Sequence, residues 1–359
     1  MTAYIIRRLL MLPILLLGVS ILIFGMMSLL TPYERVSLYA AEIPRRAGAI
    51  DELIEKYGLN DPIFFNTGKM WEEKNPLALF ESQYFRWLGK VLRGDLGFSK
   101  VGKRPVSEAL RYYFPTTAEL ALWCIVPLVV VGIWLGIQSA VHHNTLIDHV
   151  TRVFSIIGWS FPTFVLGLLA LMLFYAKLEW FPPSRLSDWA NQVVLSPEFT
   201  RYTSMNTLDA LLNGRLDIFW DAIRHLVLPV ITLSYLSWAL ILRVTRSSML
   251  EVLRQDYVTT ARAKGLDEKV VINKHARPNA MIPVATVGGI MLLNLASGVV
   301  ITETVFNYRG MGWFIAHSAL HLDVISVMGF ALFNGVLIVL GNLAVDILYA
   351  FLDPRVRLR

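Results

Sequence analysis

One segment of the sequence comes close to a phosphate-binding motif. The residues GFSKVGKR, at 97–104, nearly match the nucleotide-binding pattern G-x-x-x-x-G-K-[ST]. Arg104 replaces the hydroxyl residue that would hold Mg²⁺, and Pro105 follows it directly. The motif must also follow a buried strand and begin a helix, whereas we place this segment in a loop outside the cytoplasm, where ATP is absent. We interpret the match as chance and expect the chain itself to bind no nucleotide, metal or other cofactor.

Two pairs of histidines could be compared with metal sites. His317 and His321 are spaced i, i+4, which puts both imidazoles on one face of a helix, and His142 and His143 are adjacent. A membrane-embedded metalloenzyme needs a third ligand or a motif such as H-E-x-x-H, and we find neither beside these histidines. The sequence therefore disfavours a membrane-embedded enzyme.

Acidic residues inside apolar segments are candidates for function, because a charge in the membrane is costly. Glu119, Glu303 and Asp346 lie in such segments. Glu303 and Arg309 are predicted to pair, either as an outer gate or as an ion pair at the membrane surface. Asp346 is predicted to pair with an arginine of the C-terminal tail, Arg355 or Arg357, in a structural role.

Small polar residues form a stripe on the fifth apolar segment. They are Asn294, Ser297, Gly298 and Thr302. We treat Asn294, Ser297, Thr302, Glu303 and Arg309 as candidates for a translocation path or its gate. The alternative is that the small residues of the stripe only let helices pack closely.

The composition is that of an integral membrane protein. Of 359 residues, 55% are hydrophobic and only 17% are charged, against about 25% charged in soluble domains. The apolar residues form blocks near the roughly 20 residues that cross a bilayer as a helix, and they do not alternate as barrel strands do. The sequence thus predicts an all-α protein with six transmembrane helices, at 9–30, 116–140, 150–176, 225–242, 279–305 and 324–351.

Basic residues orient these predicted spans. The N-terminus, the C-terminus and the loop 243–278 are rich in Lys and Arg, which collect on the cytoplasmic side. This bias also explains the net charge of +6 better than nucleic-acid binding does. The first apolar run is too long for a cleaved signal core, and we expect it to be retained. The predicted organisation is a first span at 1–30, an outer segment at 31–115 and a core membrane region with five further spans at 116–359.

The cytoplasmic loop has a defined shape in the sequence. Gly265 is expected to end one helix in the left-handed conformation, and Asp267 to cap a second, short helix. Arg277, which precedes Pro278, is expected to leave helical geometry, so that Pro278 begins the fifth span. Physical reasoning leaves two interpretations open: a projection that a soluble partner grips, or a solvated loop or amphipathic helix on anionic lipid.

Sequence motifs favour the first interpretation. The segment DYVTTARAKGL followed by KHARPNAMIP, with a proline 13 residues after Gly265, resembles the cytoplasmic signature of ABC importer permeases, in the oligopeptide, dipeptide and nickel branch. YIIRRLL, YFRWLGKVLRGDLGFS, ETVFNYRGMGW and DILYAFLDPRVR extend the resemblance over most of the chain. Thr259 stands where many permeases have an acid, Arg277–Pro278 stands where Leu–Arg is usual, and residues 66–80 look like an insertion.

The resemblance implies a multi-pass permease of the cell inner or plasma membrane, with both termini cytoplasmic. Its partners would be a second permease, two ATPase subunits that use ATP and Mg²⁺, and an extracytoplasmic binding protein. The substrate would be an oligopeptide, or alternatively an oligosaccharide, because Trp180 and Trp189 could stack on sugars. An ion-gradient-driven transporter is the rival class, but we find no internal repeat. The implied ATPase-coupling residues are Tyr257, Thr260, Ala261, Gly265, Leu266, Val270, Val271, His275 and Pro278.

Overall fold

The computed structural model describes residues 2–36, 48–296 and 299–352, and most of them are helical. The N-terminal third of the chain contains a long first helix, several short elements and a small hairpin. These are α1 (Thr2–Ser28), α2 (Pro32–Arg35), α3 (Ala49–Lys56), α4 (Thr67–Glu73), a 3₁₀ turn (Pro76–Phe80), α5 (Gln83–Leu92), the antiparallel strands β1 (Phe98–Ser99) and β2 (Arg104–Pro105), and α6 (Val106–Val141).

The remainder is also helical. It contains α7 (Leu146–Ser160), α8 (Thr163–Ala170) with a π-helical continuation (Leu171–Lys177), α9 (Asp188–Val194), α10 (Asn206–Leu212), α11 (Leu216–Leu253), α12 (Asp256–Ala263), α13 (Glu268–Val270), a π-helical turn (Val271–Ala276), α14 (Arg277–Ala296), α15 (Val300–Val305), α16 (Met311–Leu320) and α17 (Val324–Leu352).

The membrane-spanning class is confirmed, and the described helices allow between four and six spans. Two of the candidate spans are bent pairs of helices, one bent by 100° and the other by 44°. The predicted six spans therefore require each bent pair to cross the membrane once. The unbent candidates are Leu9–Ser28, Val106–Val141, Glu268–Leu295 and Val324–Val345; the bent pairs are Leu146–Gly158 with Thr163–Lys177 and Leu216–Tyr235 with Ser237–Leu253.

Two of the predicted spans are interrupted in the structure. The third, predicted as unbroken at 150–176, breaks at Phe161, whose ψ of 130° is extended because Pro162 follows it. The fifth, predicted to run to residue 305, ends as α14 at Ala296, and a separate helix begins at Val300. Two others are longer than predicted, since α6 begins at Val106 and α11 continues to Leu253.

The described residues fall into two compact units. One contains residues 5–114 (apart from the undescribed 37–47) and 314–340, and the other contains most of 115–313 together with the end of α17. In the first unit an aromatic cluster joins α1 to the segment 64–87: the ring of Phe24 lies 5.4 Å from that of Tyr84 and 5.2 Å from that of Trp87, centroid to centroid. Ser20 and Tyr84 share a hydrogen bond of 2.8 Å.

In the second unit α6 and α11 pack with almost no side chain between them. A Cβ atom on Gly132 would lie 2.8 Å from Ile241, and one on Gly136 would lie 2.5 Å from Thr245 and 2.9 Å from the Leu242 carbonyl. These glycines are four residues apart, so both lie on the same face of α6, in the small-xxx-small arrangement that lets membrane helices approach closely. Their lack of side chains sets the distance between the two helices.

We expect Gly136→Ala to destabilise the protein by about 1–3 kcal/mol through overpacking against Thr245. Gly18→Ala is the matched control, because a Cβ atom added there would lie within 4 Å of no described residue outside its own stretch of helix. It should be neutral or stabilising, since Ala is the better helix former by up to about 1 kcal/mol. Thermal unfolding of the two variants in detergent checks this expectation; equal melting temperatures would contradict the close packing.

Candidate coupling site and its supporting contacts

The loop predicted to be cytoplasmic folds as a compact corner, residues 256–276, at the end of α11. Gln255 is extended, with ψ of 149°, and separates α11 from α12. Val258 and Ala261 of α12 and Val271 of the next helix are buried together against the last turn of α11. This apolar contact holds the corner on the helix that comes out of the membrane.

Gly265 makes the turn, as the sequence predicts. Its φ of +77° is in the left-handed region, where only glycine is free of strain. Asp267 caps the following helix by accepting a hydrogen bond of 2.8 Å from the Lys269 N–H. Arg262 bridges the turn, donating two hydrogen bonds to Glu268, of 3.1 Å and 2.7 Å. A bidentate Arg262–Glu268 ion pair thus holds the two sides of the turn together.

The predicted break at Arg277 is wrong. Arg277 has φ of −54° and ψ of −48°, which is helical, and the helix is continuous from Glu268 to Leu295. The turn Val271–Ala276 is π-helical, so each backbone N–H bonds to the carbonyl five residues earlier, and not four as in an α-helix. Pro278, which has no N–H to donate, follows this turn directly. The regular α-helical pattern of backbone hydrogen bonds is already interrupted there, so the proline does not break the helix. The second half of the corner and the start of the fifth span form one rod.

The corner exposes only two of the three larger aliphatic side chains among the implied coupling residues, and we call these two, Leu266 and Val270, the tip. Leu266 is 40% exposed and Val270 is 39% exposed, but Val271 is fully buried and Ala261 is only 5% exposed. As an implied coupling residue Val271 would have to reach a partner, and this is wrong for its side chain, because Val271 packs inward against α11 and α12. Ala261 and Val271 support the corner, while Leu266 and Val270 are available to another chain.

The remaining implied coupling residues lie on α12, in the π-helical turn and at the start of α14. Tyr257 is exposed, and its hydroxyl accepts a hydrogen bond of 3.1 Å from the Asn279 amide, which ties α12 to α14. Thr260 is exposed, and its hydroxyl donates to the Asp256 carbonyl. His275 is half-buried and Pro278 is exposed.

A buried ion pair braces the helices below the corner. The Arg246 guanidinium donates to the two carboxylate oxygens of Asp148, at 2.7 Å and 2.9 Å, and the Asp148 side chain is fully buried. Ser139 donates to the same carboxylate at 2.6 Å, and the Asn144 N–H donates at 3.0 Å. The cluster joins the end of α6, the start of α7 and α11. We did not predict it, because Asp148 and Arg246 are distant in sequence and each falls outside a predicted span.

A second buried polar cluster surrounds Glu119. Its carboxylate accepts hydrogen bonds from the N–H and hydroxyl of Thr207, from Arg185 at 2.8 Å and from the Tyr308 hydroxyl at 3.1 Å. Burial raises the pKa of Tyr308 well above its usual range, and the nearby Glu119 charge adds to this. The phenol therefore remains a donor at physiological pH. Glu119 joins α6 to two segments, one between α8 and α11 and one after α15, that we predict to be extracytoplasmic.

The candidate gate pair is not formed. Glu303 is buried, and its carboxylate accepts from the Thr117 hydroxyl and from the Trp313 N–H, both at 2.7 Å. Arg309 instead lies over the Trp313 ring at 5.3 Å and donates to Asn307. The predicted ion pair is wrong because neighbouring hydrogen-bond donors already satisfy the carboxylate.

The stripe predicted to line a path lies only partly within the described residues. Asn294 is exposed on α14, and Thr302 is buried on α15. Ser297 and Gly298 lie outside the described residues, as do Arg355, Arg357 and the side chain of Asp346.

Two other motifs of the sequence, the segment 97–104 and the pair His317 and His321, also lie among the described residues. The phosphate-loop-like segment is a β-hairpin in which the Ser99 hydroxyl and the Val101 N–H donate to the Asp323 carboxylate, at 2.8 Å and 3.0 Å. The rings of His317 and His321 lie 4.2 Å apart, and no three His, Cys, Asp or Glu side chains converge on one point in the part of the chain that the structure describes.

Comparison with known proteins decides the family. The profile of the binding-protein-dependent transport system inner membrane component family matches residues 129–358. The chain belongs to this family. It is therefore a permease of the ABC importer class and a multi-pass inner-membrane protein.

Curated relatives align with nearly the whole permease. A probable D,D-dipeptide transport system permease of Escherichia coli K12 is 40% identical over 94% of this chain and 93% of its own length. A dipeptide transport system permease of Alkalihalophilus pseudofirmus is 33% identical over 99% of this chain and 100% of its own length. An oligopeptide transport system permease of Bacillus subtilis is 36% identical over 99% of both chains.

We expect the Asp148–Arg246 pair to contribute a coupling energy of about 2 kcal/mol in a double-mutant cycle of Asp148→Ala and Arg246→Ala. The pair Arg215–Asp217, with an N–O distance of 2.7 Å and both side chains exposed, is the control and should give less than about 1 kcal/mol. Denaturant unfolding of the purified permease measures both. Equal coupling energies would show that burial does not strengthen the Asp148 pair.

Proposed function

We propose that this permease forms one half of the transmembrane path of an ABC importer for short peptides. The supporting observation is that the three relatives described above are peptide permeases that align with this chain over nearly their whole lengths. The oligosaccharide alternative and the ion-gradient alternative are not favoured by these relatives.

The proposed assembly divides the work among subunits. A second permease completes the path, two ATPase subunits bind ATP and Mg²⁺, and an extracytoplasmic binding protein delivers the peptide. This chain binds no cofactor of its own and is not an enzyme. Both of its termini are cytoplasmic, which puts the corner on the side of the ATPases, in line with the basic residues around it.

The geometry of the corner suits mechanical transmission. Leu266 and Val270 are the apolar side chains that an ATPase cleft would hold. The rod from Glu268 to Leu295 carries any displacement of Val270 directly into the fifth span. Rigid-body movement of a short helix is one of the established ways in which a local change becomes a change between two global states. The Arg262–Glu268 pair and the buried side chains Val258, Ala261 and Val271 keep the corner stiff.

The function is tested by purifying the tagged chain with its associated subunits and reconstituting the complex in proteoliposomes. We expect ATP hydrolysis to rise when a binding protein loaded with dipeptide or oligopeptide is added outside, and labelled peptide to enter with it. Stimulation by an oligosaccharide-loaded binding protein instead would overturn the substrate class. Uptake that follows membrane potential without ATP would overturn the importer mechanism.

We expect Val270→Asp to abolish peptide-stimulated ATP hydrolysis, because a charge would have to be buried in the ATPase cleft. Val270→Ile, which keeps an apolar side chain at the same exposed position, is the matched control and should retain stimulation. Membrane insertion and melting temperature of both variants should equal those of the parent, since Val270 is 39% exposed. Stimulated hydrolysis that survives Val270→Asp would remove this side chain from the coupling contact.

A further inference from the structure

A cavity lies between the end of α6 and the helix that follows the corner. Its volume is about 350 Å³, and all of its lining residues belong to the second compact unit. It is lined by Val129, Val130, Ile133, Trp134, Ile137, Gln138, Asn273 and Arg277. None of these residues takes part in the ion pair or the buried clusters described above.

The lining changes from apolar to polar along one direction. The residues from Val129 to Gln138 extend over about 14 Å at 1.5 Å per residue. Val129 is the end nearer the middle of the predicted second span, and Gln138 is near its cytoplasmic end. Arg277 and Asn273 come from the cytoplasmic start of the rod, so the polar groups gather at headgroup depth. An amphiphile with a polar head and an apolar tail matches this gradient.

The polar end of the cavity is positively charged and has spare donors. Arg277 is exposed, and its guanidinium makes no hydrogen bond or ion pair with any residue that the structure describes; the same holds for the side-chain amide of Gln138. The stretch 269–277 also contains Lys269 and Lys274 and has no acidic residue. A guanidinium with two free donor edges is suited to bind a phosphate through paired hydrogen bonds.

The apolar end opens onto an exposed face of α6. Val126, Val130 and Trp134 follow one another at intervals of four residues, and each is more than half exposed, with Trp134 at 58%. Acyl chains fit such a face without cost, whereas a peptide backbone there would lose its hydrogen bonds with water.

We propose that this cavity binds an anionic phospholipid of the cytoplasmic leaflet. Its phosphate pairs with Arg277 and accepts from Gln138, and one acyl chain lies along Val130, Ile133 and Trp134. Basic pockets between membrane helices on this side are known to suit anionic headgroups. The lipid would rest against the same rod that carries Val270, so that the lipid composition of the membrane would bear on the coupling corner. The proposal concerns a lipid site and does not depend on which substrate is imported.

Native mass spectrometry of the full-length permease tests the site with two lipids of identical acyl chains, phosphatidylglycerol and phosphatidylcholine. We expect preferential binding of phosphatidylglycerol, and a loss of about tenfold in its affinity in Arg277→Gln, as for removal of a charge-assisted hydrogen bond. Lys274→Gln removes the same charge from the same helix without touching the cavity and should change the affinity by less than about twofold. Equal losses in both variants would show only a diffuse attraction to basic residues and would overturn the site.

Two further measurements separate the other possible occupants. Trp134→Ala should weaken phosphatidylglycerol binding, and glycerol 1-phosphate should not displace the lipid; displacement at matched concentration would identify a soluble phosphate site instead. In the assembled transporter, Trp134→Cys should not cross-link to another subunit. The free Cys124 is buried, so cross-linking would report position 134 specifically. Efficient cross-linking would show that this face is a subunit interface and overturn the lipid assignment.

Discussion

The close approach of α6 and α11 at Gly132 and Gly136 is the contact on which the position of the corner in this permease depends. Lipid offers no hydrophobic drive for two apolar helices to associate, so close van der Waals packing must hold them together. Because both glycines face α11, its backbone comes near enough for Ser139 and Arg246 to meet at Asp148. The direction in which α11 continues to Leu253, and hence the place of the corner, follows from this contact.

Two buried carboxylates of the second compact unit are stabilised by the same kinds of hydrogen-bond donor. Asp148 and Glu119 each combine an arginine with hydroxyl and backbone N–H donors, so that the carboxylate keeps several partners after it leaves water. Glu303 is satisfied by Thr117 and Trp313 without a cation. Such clusters fix the relative positions of helix ends, because an unpaired charge there would cost several kcal/mol. Fixed helix positions are what the proposed transmission of movement requires.

The helix is continuous through Pro278, and this joins the movement of the corner to that of the fifth span. A short helix joined by a flexible link would move without necessarily moving the span behind it. A rod from Glu268 to Leu295 makes the exposed tip and the fifth span one body. In the proposed assembly the chemistry of ATP belongs to other subunits, so the part given to this corner is mechanical.

The sequence alone determined the features that depend on local composition. Apolar blocks of membrane length predict the all-α membrane class, Gly265 predicts the left-handed turn, Asp267 predicts the cap, and the motifs around Gly265 point to the family. Each of these rests on neighbouring residues, and bilayer thickness or backbone sterics decides the outcome.

Only the tertiary structure decided which side chains meet across long separations in the chain. Val271 is buried because α11 and α12 cover it. The Glu303 carboxylate accepts a hydrogen bond from Thr117, 186 residues away in the sequence, and forms no ion pair with the nearby Arg309. Likewise, residues 129–138 and Arg277 come together around one cavity. Local periodicity cannot predict these contacts, because they depend on how closely separate helices pack and on which hydrogen-bond donors lie within reach of a buried acceptor.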